Sequence, residues 1–79
     1  MSVLDRLGTL LTARFGVTAE ELRPDATFDE LDLDSLALVE FAMVAEQEFG
    51  VPFGEDDVTP QVTVGQAARL IGDKLARVG

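Results

Sequence analysis

The most chemically suggestive pair in this 79-residue chain is Asp34-Ser35, because most other routes to chemistry are closed. There is no histidine and no cysteine. A Ser-His-Asp arrangement is impossible, disulfides and a thiolate nucleophile are excluded, and the commonest metal ligand is missing. A Ser-Lys pair would need Lys74, the single lysine, which falls near the end of a regular amphipathic segment. Asp29, Asp32 and Asp34 cluster ahead of the serine, and the span from Asp29 to Glu40 has the length of a calcium loop. The pattern fails on its ligands, because Leu31 and Leu33 fill the third and fifth positions and Asp34 stands where glycine must make the turn. Asp32-Leu33-Asp34 also lacks the strand and the larger α/β domain on which phosphotransfer aspartates sit. What remains is Ser35 as an acceptor, a hydroxyl that is modified rather than one its own chain activates.

The elements around Ser35 follow from periodicity. Residues 35–49 repeat apolar side chains at helical spacing, with Leu38, Phe41, Ala42, Ala45 and Phe49 on one face and Pro52 preventing continuation. Asp34 stands at the N-cap, with Asp32 just before it. Ser35 is thus predicted in the first turn, where free backbone N–H groups and the positive end of the dipole favour a phosphate. Leu36, Val39 and Met43 fall on the opposite side, among Glu40, Glu46 and Gln47. Single exposed apolar residues are ordinary, whereas a ridge of large ones edged by carboxylates reads as a docking surface.

Two further helices are predicted. Residues 3–15 place Val3, Leu4, Leu7, Leu10 and Leu11 on one face, with Ser2 as cap, Asp5 three residues on, and Gly16 as stop. Residues 64–77 place Val64, Ala67, Ala68, Ile71 and Leu75 on one stripe that continues to Val78. Thr63 with Gln66 forms a capping box there, and Lys74 and Arg77 suit the C-terminal end of the dipole. The connection 16–34 is long for a loop in a compact domain, but it carries its own anchors in Val17, Leu22, Phe28, Leu31 and Leu33. Thr18 with Glu21 can cap a short turn, and Arg23-Pro24-Asp25 reads as another. A further helical turn is expected at Glu55-Asp56-Asp57, broken by Thr59-Pro60. The expectation is one all-α domain over residues 1–79: a small three- to four-helix bundle with a long ordered loop between the first two helices.

Net charge is −9, and it is unevenly spread. Thirteen of the fifteen acidic residues lie between Glu20 and Asp57, opposed only by Arg23, so that span carries −12 while the flanks carry +3. Such a field repels nucleic acid and anionic membrane and steers basic protein surfaces toward the middle of the chain. No signal peptide and no apolar run long enough to cross a bilayer is visible, so a soluble, cytoplasmic monomer is expected.

The segment Phe28-Asp29-Glu30-Leu31-Asp32-Leu33-Asp34-Ser35-Leu36 resembles the attachment motif of acyl carrier proteins, whose centre is Asp-Ser-Leu. The likeness extends over nearly the whole chain. It takes in Val39-Glu40, Glu46-Gln47-Glu48-Phe49-Gly50-Val51-Pro52, the acidic Glu55-Asp56-Asp57 and Thr63-Val64-Gly65-Gln66-Ala67-Ala68. The resemblance implies a non-catalytic carrier. Its Ser35 would receive 4′-phosphopantetheine from coenzyme A through a separate magnesium-dependent phosphopantetheinyl transferase. The terminal thiol of the arm would then hold acyl groups as thioesters, which accounts for the missing cysteine. It further implies that Asp34, Leu36, Val39, Glu40, Met43 and Glu46 contact partners such as ketosynthase and acyltransferase. Glu55, Asp56 and Asp57 would add a second acidic contact, and the small Ala42, Ala45, Ala67 and Ala68 would let the core open for an acyl chain. Many members have glycine two residues before the motif aspartate, where this chain has Asp32; some fatty-acid carriers also have aspartate there.

Two functional classes follow. One is a discrete carrier: Asp34-Ser35-Leu36-Ala37-Leu38-Val39-Glu40 looks like polyketide carriers, while Leu31-Asp32-Leu33-Asp34 and Thr63-Val64-Gly65 look like fatty-acid carriers. A carrier for another acyl or aminoacyl pathway fits less well, since peptidyl carriers usually have glycine or histidine where Asp34 sits. The other class is an unmodified acidic adaptor that only binds a basic partner.

Overall fold

The computed structural model describes residues 2–78, of which the side chains of Glu55 and Val78 lie outside the described part. Helix α1 spans Val3–Phe15, α2 spans Ser35–Phe49 and α3 spans Val64–Val78, with a single 3-10 turn at Glu55–Asp57 between the last two. Each helix begins where a side chain satisfies a backbone donor. Ser2 Oγ accepts the Asp5 N–H at 3.1 Å, and Asp34 Oδ1 accepts that of Ala37 at 2.9 Å. At α3 the exchange is reciprocal: the Thr63 N–H reaches Gln66 Oε1 at 2.9 Å and the Gln66 N–H reaches Thr63 Oγ1 at 3.1 Å.

Helices α1 and α2 end on glycine. Gly16 and Gly50 adopt φ of 69° and 68°, the left-handed conformation that costs an L side chain steric strain. The stop of α2 is therefore Gly50, whose N–H bonds the Glu46 carbonyl at 2.9 Å, and Pro52 lies beyond a helix that has already closed.

The expected core stripes are buried: Leu7, Leu10 and Leu11 from α1, Leu38, Phe41, Ala42, Ala45 and Phe49 from α2, and Val64, Ala67, Ala68 and Ile71 from α3. Leu4, expected on the buried face of α1, is instead 36% exposed. It sits in the first turn and lines an open groove rather than a packed partner. Val3 and Leu75 are half-buried, and the Val78 side chain lies outside the described residues. Among the helices α1 and α3 pack most closely, while α2 meets the 3-10 turn and reaches the rest of the bundle largely through its side chains. The core is completed from the connections by Val17, Ala26, Phe28, Leu31, Leu33, Val51, Phe53 and Val58.

The long connection is ordered by two capped turns. Glu21 Oε1 accepts both the N–H and the hydroxyl of Thr18, at 3.1 and 3.0 Å. An isolated antiparallel bridge joins Thr27 to Thr63. Around it the Phe28 N–H reaches the Val62 carbonyl at 3.1 Å, the Val64 N–H reaches that of Ala26 at 2.9 Å, and the Gly65 N–H reaches that of Pro24 at 2.8 Å. A Cβ on Gly65 would lie 3.0 Å from that Pro24 carbonyl oxygen, so the close approach suits a residue without a side chain. No helix of the described residues is long and apolar enough to cross a membrane.

Candidate functional site

Ser35 is positioned by the turn that precedes it. Thr27 and Glu30 form a capping box: the Thr27 N–H reaches Glu30 Oε1 at 2.9 Å, and the Glu30 N–H reaches Thr27 Oγ1 at 3.1 Å. The turn closes with the Leu33 N–H on the Phe28 carbonyl and the Asp32 N–H on that of Asp29, both at 3.1 Å. These two bonds are those of a Schellman end, with Asp32 at the left-handed position. Asp32 has φ of 62°, and among the described residues it alone is a non-glycine with positive φ. The place where the resemblance puts glycine is thus the place where backbone geometry asks for it, and Asp is one of the few side chains tolerated there. Phe28 and Leu33, the residues joined by the longer bond, are both in the core. Their burial fixes the turn, and the chain leaves it directly into Asp34 and Ser35.

Of the two serines in the chain, Ser2 is used to cap α1, whereas Ser35 is exposed at the first position of α2. The donor of Ala37 is taken by the Asp34 carboxylate and that of Leu38 by the Asp34 carbonyl at 2.9 Å. Helix geometry gives the N–H groups of Ser35 and Leu36 no acceptor within α2. A phosphate on Ser35 would therefore lie by two unspent donors and the positive end of the dipole, against the negative charge of Asp34.

Of the residues expected to meet partners, Leu36, Val39, Glu40, Met43 and Glu46 share one side of α2, and Asp34 caps its start. Leu36 is 70% and Met43 59% exposed, Val39 is half-buried, and Asp34, Glu40 and Glu46 are exposed. Two of the expected contact carboxylates have internal duties. Glu46 Oε1 accepts the Phe53 N–H at 3.2 Å and so ties the segment after α2 back onto it. Asp57 accepts the Gly54 N–H at 2.9 Å and pairs with Lys74 at 3.4 Å. The Gly54 bond and then Lys74 hold its carboxyl below its ordinary value. Asp56 is exposed beside it, and the Glu55 side chain lies outside the described residues. Glu30 is likewise held below its ordinary value, first by the Thr27 N–H, then by the Thr27 hydroxyl, with a smaller contribution from Arg23.

Among the described residues no three potential metal ligands converge, so Asp29, Asp32 and Asp34 remain separate charges around the turn. A groove of about 520 Å³ runs between α1, residues 22–24 and Val64, and no residue of α2 lines it. The features the sequence did not disclose are the Glu46 and Asp57 bonds and the bridge to Thr63. The Thr27-x-x-Glu30 box was readable as a capping pattern.

Residues 5–71 match a family model described as a phosphopantetheine attachment site. An acyl carrier protein of Nitratidesulfovibrio vulgaris (strain DSM 19637 / Miyazaki F) is 37% identical over 75 residues, covering 94% of this chain and 99% of that protein. One from Solidesulfovibrio magneticus is 39% identical, covering 94% of this chain and 96% of its own length. One from Thermobifida fusca is 40% identical over 70 residues, covering 87% and 89%.

Proposed function

The chain belongs to the acyl carrier protein family, a family of non-catalytic carriers with covalently attached 4′-phosphopantetheine, and on that premise we propose that Ser35 is its attachment residue. The observation that carries the assignment is an exposed hydroxyl at the first position of a capped helix, beside an exposed apolar ridge and inside the acidic span. When bound, the arm supplies the thiol that the chain lacks and holds acyl groups as thioesters.

The chain's own part in attachment is presentation. Ser35 would present its oxygen to the phosphorus of the pantetheine phosphate, with adenosine 3′,5′-bisphosphate of coenzyme A as the leaving group. The hydroxyl proton would go to a base on the transferase, the chain having no histidine to take it. Asp34 holds the start of α2 through its bond from the Ala37 N–H.

The partners of this reading are a phosphopantetheinyl transferase, then ketosynthase and acyltransferase enzymes of fatty-acid or polyketide type, each with a basic docking surface. Asp34, Leu36, Val39, Glu40, Met43 and Glu46 form the contact face, with Glu55, Asp56 and Asp57 as a second acidic patch. The carboxylates set encounter rate and orientation, and Leu36 and Met43 supply the apolar area that is buried on docking. The carrier acts as a cytoplasmic monomer. The test is to incubate the protein with coenzyme A and a broad-specificity transferase and weigh it: one phosphopantetheine is gained by the natural chain and none by Ser35→Ala. No gain by the natural chain leaves an unmodified adaptor.

A further inference from the structure

The interior of the bundle is built around one ring. Phe41 is fully buried, with the rings of Phe28, Phe53 and Phe15 at centroid distances of 5.1, 6.0 and 6.1 Å. The contacts are tilted or edge-on, the arrangements that aromatic quadrupoles favour. The three partners come from three elements: the end of α1, the first connection, and the segment that Glu46 ties back to α2. Phe41 therefore cannot swing aside without displacing all three.

Its place on α2 gives this consequence. Phe41 lies six residues after Ser35, about 9 Å along the axis at a helical rise, on the buried face. Its helical neighbours on that face, Ala42 and Ala45, are small and buried, and the core around them is filled by the rings together with aliphatic side chains such as Leu7, Leu11 and Ile71. Interiors packed to crystal density have no slack for added methylenes. The grooves of about 520 and 230 Å³ open outward around α1 and are lined by none of Phe41, Ala42 and Ala45.

Resting on Ser35 as the attachment residue, we propose that Phe41 is a specificity-determining residue: its ring cluster keeps an alkyl chain out of the bundle and suits the carrier to short or oxygenated acyl groups. Exposed methylenes carry a hydrophobic penalty, whereas carbonyl and hydroxyl groups left in water are solvated. The buried alanines are then packing for rings, and do not form a recess for cargo.

The experiment compares acetyl and octanoyl forms of the natural chain and of Phe41→Leu, loaded from the corresponding coenzyme A thioesters and verified by mass. Two readouts are followed: amide NMR shifts of Ala42, Ala45 and Ile71, and the rate at which hydroxylamine cleaves the thioester. In the natural chain the two forms give matching core shifts and matching rates. In Phe41→Leu the octanoyl form shifts these amides and is cleaved about fivefold more slowly, as for a chain withdrawn from water about four-fifths of the time. Phe53→Leu, which thins the same cluster from another element, repeats the comparison if Phe41→Leu does not fold. Core shifts in the natural octanoyl protein overturn the proposal, as do unchanged core shifts in a folded Leu variant. Failure of the natural chain to load removes the Ser35 assignment itself, and mass alone reveals that outcome.

Discussion

Replacing Asp32 tests whether backbone geometry, rather than charge, selects the residue ahead of the attachment motif. Asp32 has φ of 62° at the end of the turn that delivers Asp34 and Ser35. An ordinary L residue loses roughly 1–2 kcal/mol in that conformation. Glycine avoids the strain, although its freedom in the unfolded chain returns about 0.5–1 kcal/mol of the advantage. Asp32→Gly is then expected to match or slightly exceed the natural stability, and Asp32→Ala to lie about 1 kcal/mol below Asp32→Gly. For a domain of this size that gap is roughly 4–8 °C in Tm. Both variants remove one carboxylate from the span carrying −12, so the field contributes equally and cancels in their difference. Asp32→Asn removes the same charge while keeping a side chain tolerated in the left-handed region, and should stay near the glycine variant. Thermal and urea unfolding of the three variants give the order directly. An alanine variant as stable as the glycine variant would refute the strain argument.

Other substitutions probe the rest of the site. Asp34→Ala removes the acceptor for the Ala37 N–H and should cost about 1 kcal/mol, read as a lower urea midpoint with fraying of the first turn of α2 in amide exchange. Leu36→Ala and Met43→Ala, at 70% and 59% exposure, should change stability by less than about 0.5 kcal/mol while weakening a titrated transferase or ketosynthase. A large drop in Tm from either would mean that this face belongs to the core. Glu30 titrates below its ordinary 4.5 in the folded chain, so folding favours its charged form, and its contribution is complete above that value and lost as pH falls through the lower folded one. The Tm advantage of the natural chain over Glu30→Gln should therefore be present at pH 7 and shrink toward zero below about pH 4.5. An advantage that persists unchanged in acid would contradict it.

Local signals carried most of the architecture. Ser2, Asp34 and the Thr63–Gln66 pair mark helix starts that the structure reproduces, because a cap is decided by residues three apart. Most of the core stripes followed from period alone, but Leu4 lines an open groove, and Val3 and Leu75 are only half-buried. In the sequence Pro52 marks the stop of α2, whereas in the structure the left-handed Gly50 ends the helix first. Long-range contacts were not legible. Nothing in the periodicity joins Thr27 to Thr63 or the Glu46 carboxylate to the Phe53 N–H, because both depend on how separate connections fold against one another. For the same reason Glu46 and Asp57 read as free surface charge, and their bonds to the chain appear only in three dimensions.

The most direct measurement is fragmentation mass spectrometry on the protein purified from its own host, mapping the peptide that contains Asp34-Ser35-Leu36. The result expected is 4′-phosphopantetheine on Ser35, with the acyl group recovered as its thioester. A bare Ser35, or the group found on another side chain, would contradict the assignment.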